Sequence, residues 1–205
     1  MPNVSSVKSK FFGAVDALDA DGISTTASIS GAAALTINGT LTSGGSYTSG
    51  DNIGQLITIT SAGDDSGITF TIVGTDAVGD AQTEVLTGAD TDVATSSGYF
   101  NTVASITTSA STDAAVTAGV TGTGTGTVFA GRTRIRGLQG LSGTSAGNLL
   151  FKNTSVTGTT LLTVPTQAAA ELIEPYIPDN AVLFDAGAYV NFGSAVATVT
   201  VFYDG

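Results

Sequence analysis

Short stretches in which apolar and polar residues alternate recur along most of this chain. In QLITIT (residues 55–60) and ITFTIV (residues 68–73), Ile or Phe recurs at every second position, with Thr between them. Successive side chains of a β-strand point to opposite faces of a sheet, so this period of two predicts strands with one buried face. Turn residues about every 8–12 positions are typical of a sandwich or barrel. Further strands of this kind are predicted at residues 34–42, 82–88, 99–109 and 114–120.

Three short segments predict local structures of other kinds. Asn38-Gly39 predicts a two-residue hairpin turn, because both turn positions favour positive φ. TGTGTGT (residues 121–127) has no core side chains and has the backbone freedom of glycine, so it predicts a flexible linker. QAAAELI (residues 167–173) has a helical pattern for a turn or two, which Pro175 then ends. The rest of the second half is predicted to form strands at residues 131–140, 148–153, 159–165, 181–193 and 197–205.

These patterns predict an all-β fold of two small β-sandwich or barrel-like modules joined by a Thr/Gly linker, with an extended N-terminal arm. Phe11 and Phe12 are the large apolar anchor of that arm, which is either a frayed terminus or a segment that docks on a neighbouring subunit. The predicted boundaries are the arm at 1–22, an acidic β-sandwich module at 23–119, the Thr/Gly-rich linker at 120–130 and a C-terminal β module at 131–205.

Composition narrows the chemistry open to the chain. It contains no His and no Cys, which removes the commonest acid–base group at neutral pH, thiolate nucleophiles and Cys-based zinc sites. Ser and Thr are plentiful, but none has an evident activating base. We therefore expect no enzyme activity and no catalytic residues, no cofactor and no metal site.

The net charge of −11 is distributed unevenly. Residues 1–120 contain two lysines and twelve acidic residues, whereas residues 121–205 contain four basic and five acidic residues. An acidic first half is expected to repel nucleic acid and anionic membranes. No apolar stretch approaches the ~20 residues that span a bilayer, and no signal segment is recognisable, which favours synthesis in a cytoplasm without membrane association.

The carboxylates of SAGDDSG (residues 61–67) raise the question of a chemical site. Asp64 and Asp65 are adjacent, and a second acidic group begins at Asp76. Calcium needs several oxygens converging at about 2.3–2.6 Å, and the residue spacing of calcium loops is absent here. A strand of about six residues spans ~20 Å and would separate the two groups. We predict a solvated hairpin tip, with a weak calcium site or a catalytic pair as the alternatives.

Half of the basic residues of the chain lie at alternate positions of one predicted strand, as Arg132, Arg134 and Arg136. Their side chains should emerge on one face over ~13 Å, where like charges repel unless something negative opposes them. The alternatives are a solvated strand face, a contact with an acidic domain or subunit, and the phosphates of a nucleic acid, against which the acidic remainder argues. The candidate docking residues are these three arginines together with Phe11 and Phe12.

One segment has a more distinctive pattern than alternation alone. ITITSAGDDSGITFTIVGTDAVGDAQTE (residues 57–84) resembles a module of virion proteins of tailed bacteriophages, whose core is ITSAGxDSGITFTVxGTDxxGxxxTE. YFNTVASI (residues 99–106) and VTAG (residues 116–119) extend the resemblance, which covers roughly residues 31–119. The second half resembles, more loosely, the small β domains of phage head and tail proteins. The resemblance implies a virion structural protein and brings no catalytic residues with it.

Together these observations predict a structural component of a tailed-phage virion that is assembled in the host cytoplasm. The specific hypothesis is a capsid decoration protein, of the cement or knob kind, that docks on the major capsid lattice and forms a homo-oligomer. Its expected partners are the major capsid protein or other virion structural proteins. The alternatives are a tail, collar or fibre component and, from a different class, a cell-surface adhesin-like module that binds glycan or calcium.

Overall fold

The computed structural model describes residues 7–168 and 170–205, and it confirms the predicted all-β fold. Every regular element within those ranges is a β-strand. The strands in chain order are β1 (Lys8–Phe12), β2 (Asp19–Ala27), β3 (Thr42–Ser43), β4 (Ser46–Thr48), β5 (Gly54–Ser61), β6 (Thr69–Thr75), β7 (Ala81–Thr87), β8 (Val93–Phe100), β9 (Thr102–Thr108), β10 (Val116–Phe129), β11 (Thr133–Ser142), β12 (Gly147–Asn153), β13 (Thr160–Thr166), β14 (Leu172–Ile173), β15 (Val182–Phe184), β16 (Ala188–Gly193) and β17 (Val196–Asp204).

The chain divides into two compact units. The inserted unit is Asp16–Gly124, and the terminal unit combines the residues up to Val15 with Thr125–Gly205. The first part of β10 belongs to the inserted unit and the second part to the terminal unit. The terminal unit is therefore discontinuous in sequence, since it contains β1 as well as the strands of the second half.

The inserted unit is sandwich-like, with buried side chains from two sheets. One sheet has the order β3-β4-β9-β6-β7, and the other contains β10, β5 and β8 in that order, with β2 also paired to β10. Ile57 and Ile59 of β5 and Phe70 and Ile72 of β6 are fully buried in one cluster. In β6 the intervening residues are half-buried or exposed, so its alternation is that between core and exterior, as predicted. In β5 the pattern marks the core face, but the opposite face is not exterior, because Thr58 is buried and Leu56 and Thr60 are half-buried.

A network of polar side chains lies inside the inserted unit. The Tyr47 hydroxyl is 2.9 Å from both Asp16 Oδ2 and Gln55 Oε1, and Ser49 Oγ donates to Gln55 Oε1 at 3.0 Å. Gln55 also bonds the backbone of Asp16, accepting from its N–H and donating to its carbonyl, each at 3.1 Å. These bonds hold the first residue of the inserted unit against β4 and β5.

The terminal unit also buries side chains from two sheets. We call one of them sheet A; it has the order β1-β17-β11-β14, with β15 also paired to β11. The other contains β13, β12, β16 and β10 in that order. Ile135 of β11 and Val199 and Val201 of β17 are fully buried, as are Phe151 of β12 and Val190 of β16. Val199 and Val201 thus share the buried face of the final strand.

Residues 121–127 are the middle of β10, so the prediction of a flexible linker is wrong. Two glycines let this strand approach its neighbours closely. An added Cβ would lie 1.8 Å from Asp19 O at Gly119 and 2.5 Å from Leu18 N at Gly122, whose φ is +74°. Thr125 is buried, and its hydroxyl donates to the carbonyl of Val190 at 2.9 Å. The alternation of Thr and Gly here belongs to a packed strand.

The extended arm predicted at residues 1–22 is also wrong for its described part. Residues 1–6 lie outside the described ranges. Lys8–Phe12 forms β1, which pairs antiparallel with β17 and sets Phe12 opposite Val199. Asp19 already begins β2, which pairs with β10. From residue 8 onward, this part of the chain is built into the two units.

The prediction of a hairpin turn at Asn38-Gly39 is wrong. The N–H groups of Asn38 and Gly39 both donate to Ile23 O, at 3.1 and 3.0 Å, so this segment runs beside β2. The turn lies instead at Gly44-Gly45 between β3 and β4, where both glycines have positive φ. Glycine at both positions gives that turn the positive φ that a two-residue hairpin needs, whereas Asn38 and Gly39 are held by the backbone of β2.

The helical turn predicted for residues 167–173 is not found in the described part of that segment. Leu172–Ile173 is strand β14, which pairs with Gly140 and Leu141 of β11. Within residues 7–168 and 170–205, no helix has the length and hydrophobicity needed to cross a membrane.

Candidate docking surface

Sheet A turns one face to the core and the other outward. In β17, Val199 and Val201 are buried whereas Phe202 is exposed, so alternate residues define the two faces. The strand register extends the outward set to the neighbouring strands, since Phe11 is opposite Thr200 and Leu141 is opposite both Thr198 and Leu172. We call this set the outer face. It consists of Ser9, Phe11, Gly137, Gln139, Leu141, Leu172, Thr198, Thr200 and Phe202.

The outer face combines exposed apolar side chains with uncharged polar ones. Leu172 is 62% exposed, Phe11 43%, Leu141 42% and Phe202 36%. Apolar side chains that lie on neighbouring strands and face solvent are typical of surfaces that a partner covers, because removing them from water is favourable. The same alternation places Asp204 and its register partner Arg134 at one end of this face, so the charged residues lie beside the apolar side chains and not among them, as at the rim of a protein interface.

Three arginines line a cavity of about 290 Å³ on sheet A, and we call it the arginine pocket. Arg134 and Arg136 lie in β11, and Arg132 directly precedes that strand. Arg134 Nη1 donates to the carbonyl of Asn180 at 2.6 Å. Arg132 Nε lies 3.7 Å from Asp185 Oδ1, and about two thirds of the Arg132 side chain is exposed. Both guanidinium groups thus keep N–H donors for an external acceptor.

Arg136 has a closer partner than the other two arginines. Its Nε donates to Asp204 Oδ2 at 2.5 Å, its Nη2 forms a salt bridge with the same oxygen, and its Nη1 donates to Asp179 O at 3.0 Å. The hydrogen bond with Asp204 raises the pKa of Arg136. Asp204 Oδ1 is buried and has no hydrogen-bond partner among the described residues. Arg136 therefore neutralises Asp204 within the unit.

The structure separates the predicted docking residues into three environments. Phe11 lies on the outer face, and the three arginines line the arginine pocket. Phe12 is fully buried opposite Val199, where it packs in the core of the terminal unit. The prediction that Phe12 docks on a partner is wrong, because the alternation of β1 turns it inward. The docking role of Phe11 and of the arginines stays a prediction.

The loop with Asp64 and Asp65 is not a hairpin tip, because it connects β5 and β6, which lie in different sheets. Asp64 is exposed, and hydrogen bonds from the hydroxyl and N–H of Ser66 lower its pKa. Asp65 is only 1% exposed, so the prediction that both residues are solvated is wrong for it. Asp65 Oδ1 accepts the N–H of Asp113 at 2.8 Å, and Oδ2 has no partner in the described ranges.

A metal site does not emerge from these carboxylates. Within residues 7–168 and 170–205, no group of three or more acidic side chains is placed to hold a metal ion. The second acidic group, at Asp76 and Asp80, lies in the β6–β7 turn at the other end of β6, as predicted.

The sequence interpretation missed Leu141, Leu172 and Phe202 as surface residues. The exposure of Phe202 could have been predicted from the sequence, because alternation places this aromatic residue on the same strand face as Thr198 and Thr200. The exposure of Leu172 could not, since it depends on pairing with a strand about thirty residues earlier in the chain.

Comparison of the chain with protein-family models, with curated proteins and with solved structures finds no match in any of the three. What the protein does must therefore be inferred from its residue pattern and from the surface described above.

Proposed function

We propose that this protein is a structural component of a tailed-phage virion, and specifically a capsid decoration protein that docks on the major capsid lattice. The residue pattern of positions 57–84, with its resemblance to a virion module, supports the class. The outer face of sheet A is the observation that carries the docking role. It is a sheet surface with apolar side chains from four strands, and its charged residues, Arg134 and Asp204, lie together at one end.

The outer face has the features of an interface that is stabilised by burial of apolar surface. Covering four partly exposed apolar side chains removes their surface from water at about 25 cal/mol per Å². Leu141 and Leu172 are cross-strand partners, so one apolar group of the partner protein can contact both. The arginine pocket on the same sheet supplies a polar border, which is the usual arrangement around an apolar centre.

Substitution of Leu172 by Ser tests this docking surface. Leu172 is exposed, so its replacement should leave the fold intact while removing an apolar contact of the interface. Val85→Ser on β7 is the matched control, because Val85 in the inserted unit is exposed to the same 62%. Both proteins are titrated onto purified expanded particles that lack the protein, and bound copies are counted by quantitative gel.

We expect Leu172→Ser to bind at least about tenfold more weakly than the wild type, which corresponds to about 1.4 kcal/mol. Val85→Ser should bind as the wild type does. Equal binding of all three proteins would remove the outer face from the docking model. Weak binding of both variants would show that the effect is not specific to sheet A.

The arginines require a separate design, because replacing all three would also disturb the fold. Arg136→Thr would leave the partly buried carboxylate of Asp204 without its cation, which is destabilising in its own right. The double variant Arg132→Thr/Arg134→Thr avoids this. If the pocket borders the docking surface, the double variant lowers particle occupancy at physiological salt without shifting the unfolding midpoint; unchanged occupancy would exclude the pocket from docking.

A further inference from the structure

The charges of this protein are segregated between its two units. The inserted unit, residues 16–124, contains twelve acidic residues and no Lys or Arg. All six basic residues belong to the terminal unit, which contains five acidic residues. A surface with many carboxylates and no cation repels itself, and an external cation would relieve that repulsion. The terminal unit of another copy of the same chain carries such cations.

Five carboxylates of the inserted unit come together in three loops at one end of it. Asp64 and Asp90 are partners in a β-bridge, and the N–H of Asp64 donates to Asp113 Oδ2 at 3.2 Å. The N–H of Ser61, at the end of β5, donates to the carbonyl of Asp92 at 3.0 Å, which is a further bond between the loop of Asp90 and Asp92 and the strand that leads into the loop of Asp64. We call this group the carboxylate tip; it consists of Asp64, Asp65, Asp90, Asp92 and Asp113.

Four members of the carboxylate tip present their charge to the exterior, since only Asp65 is buried. Hydrogen bonds from Ser66 lower the pKa of Asp64, which keeps that carboxylate ionised well below neutral pH. Because hydrogen bonds between backbone and side chains fix the loops, the carboxylates are already arranged before any partner binds. Pre-arrangement lowers the entropy that a complementary surface must overcome.

The arginine pocket offers the complementary charge. The bond from Arg134 to the carbonyl of Asn180 anchors that side chain without cancelling its charge, whereas the charge of Arg136 is already balanced by Asp204, which also lines the pocket. Arg132 has a loose, solvent-exposed contact with Asp185 at 3.7 Å. Guanidinium groups that are held in place and keep free N–H groups are suited to bidentate binding of carboxylates.

We propose that the arginine pocket of one copy binds the carboxylate tip of a second copy. The two surfaces are different, so the contact is heterologous and runs head to tail. Each copy in such an assembly has one pocket and one tip, and the assembly closes into a ring or grows as a chain. This association concerns the protein alone and does not rest on the proposed role in a virion.

The test is a charge-swap experiment on the purified protein by sedimentation velocity. One variant, Arg132→Glu/Arg134→Glu, makes the pocket acidic and leaves Arg136 with Asp204. The other, Asp90→Lys/Asp92→Lys, makes the tip basic. The control for the tip is Asp51→Lys/Asp80→Lys, which makes the same change of net charge on the inserted unit; these residues lie before β5 and in the β6–β7 turn, at the opposite ends of β5 and β6 from the tip.

We expect the wild type and the control to associate at low salt and to dissociate at about 0.5–1 M salt, where the Debye length falls to a few Å. Each charge-reversed variant alone should associate at least about tenfold more weakly, because its pocket and tip now carry the same sign. An equimolar mixture of the two reversed variants should associate again, since each pocket then meets a tip of opposite charge.

Three results would overturn the proposal: a wild type that is monomeric at low salt, reversed variants that associate as strongly as the wild type, or a mixture that does not associate. Circular dichroism of each variant checks that the β-fold is retained. Particle binding through the outer face is measured separately with Leu172→Ser, so either idea can fail while the other stands.

Discussion

Replacing Gly122 by Ala measures how firmly the Thr-Gly segment is packed as a strand. The φ of Gly122 is +74°, a left-handed conformation that costs an L-residue roughly 1–2 kcal/mol. A Cβ at this position would also lie 2.5 Å from Leu18 N and 3.0 Å from Leu18 Cα, which are backbone atoms. Forcing such a contact open typically costs about 1–3 kcal/mol more. The expected loss in unfolding free energy is therefore about 2–5 kcal/mol.

Gly79→Ala is the matched control, because it isolates the cost of conformation from the cost of packing. Gly79 has a φ of +92° and lies in the same unit, but an added Cβ there would meet nothing within 4 Å. Its expected cost is only the conformational part, about 1–2 kcal/mol. Urea unfolding at 25 °C gives both values from the midpoint and slope of the transition. If Gly122→Ala costs no more than Gly79→Ala, β10 moves freely away from Leu18 and the segment behaves as a flexible linker.

Three further predictions concern the interior of the inserted unit. Tyr47→Phe removes the hydroxyl bonded to Asp16 and Gln55, and should lower the unfolding free energy by about 1–3 kcal/mol in urea titrations, whereas an unchanged midpoint would show that the network does not stabilise the fold. Asp65→Asn replaces a buried carboxyl group whose Oδ2 has no hydrogen-bond partner in the described ranges by a neutral amide, and should raise the melting temperature; a lower melting temperature would show that this carboxyl does not destabilise the fold. Burial raises the pKa of Asp16, and the Tyr47 hydrogen bond offsets this only in part, so folding takes up a proton and the carboxyl destabilises the fold as pH rises above about 4. The free energy of unfolding of the wild type, relative to that of Asp16→Asn, should therefore fall between pH 4 and 7. A relative stability that rises over this range would contradict a raised pKa of Asp16.

The strands could be predicted where apolar and polar residues alternate within a short segment. QLITIT and ITFTIV alternate because one face of β5 and of β6 is buried, and that burial acts on each residue independently of strand order. The prediction for residues 121–127 failed because Thr and Gly do not alternate there between apolar and polar side chains. Gly122 of this segment and Gly119 just before it lie against the backbone of residues 18–20, which are about a hundred residues away in the sequence.

The candidate docking surface depends on pairings that alternation does not reveal. The three arginines were found from their spacing within one predicted strand, which is local information, although Arg132 lies just before β11 in the structure. The outer face needs β1, β17, β11 and β14 side by side, and these strands come from the beginning, the end and the middle of the sequence. Phe11 and Phe12 looked equivalent as a pair, but the register of β1 against β17 sends one outward and buries the other.

The proposed function is tested most directly by the number of copies of this protein in purified virions, measured by quantitative gel against the major capsid protein. A decoration protein is predicted to be present at a copy number that matches positions of the capsid lattice, and to bind expanded shells but not procapsids. A count of a few to tens of copies would assign the protein to the tail, collar or fibre instead. Its absence from the particle would contradict the structural role altogether.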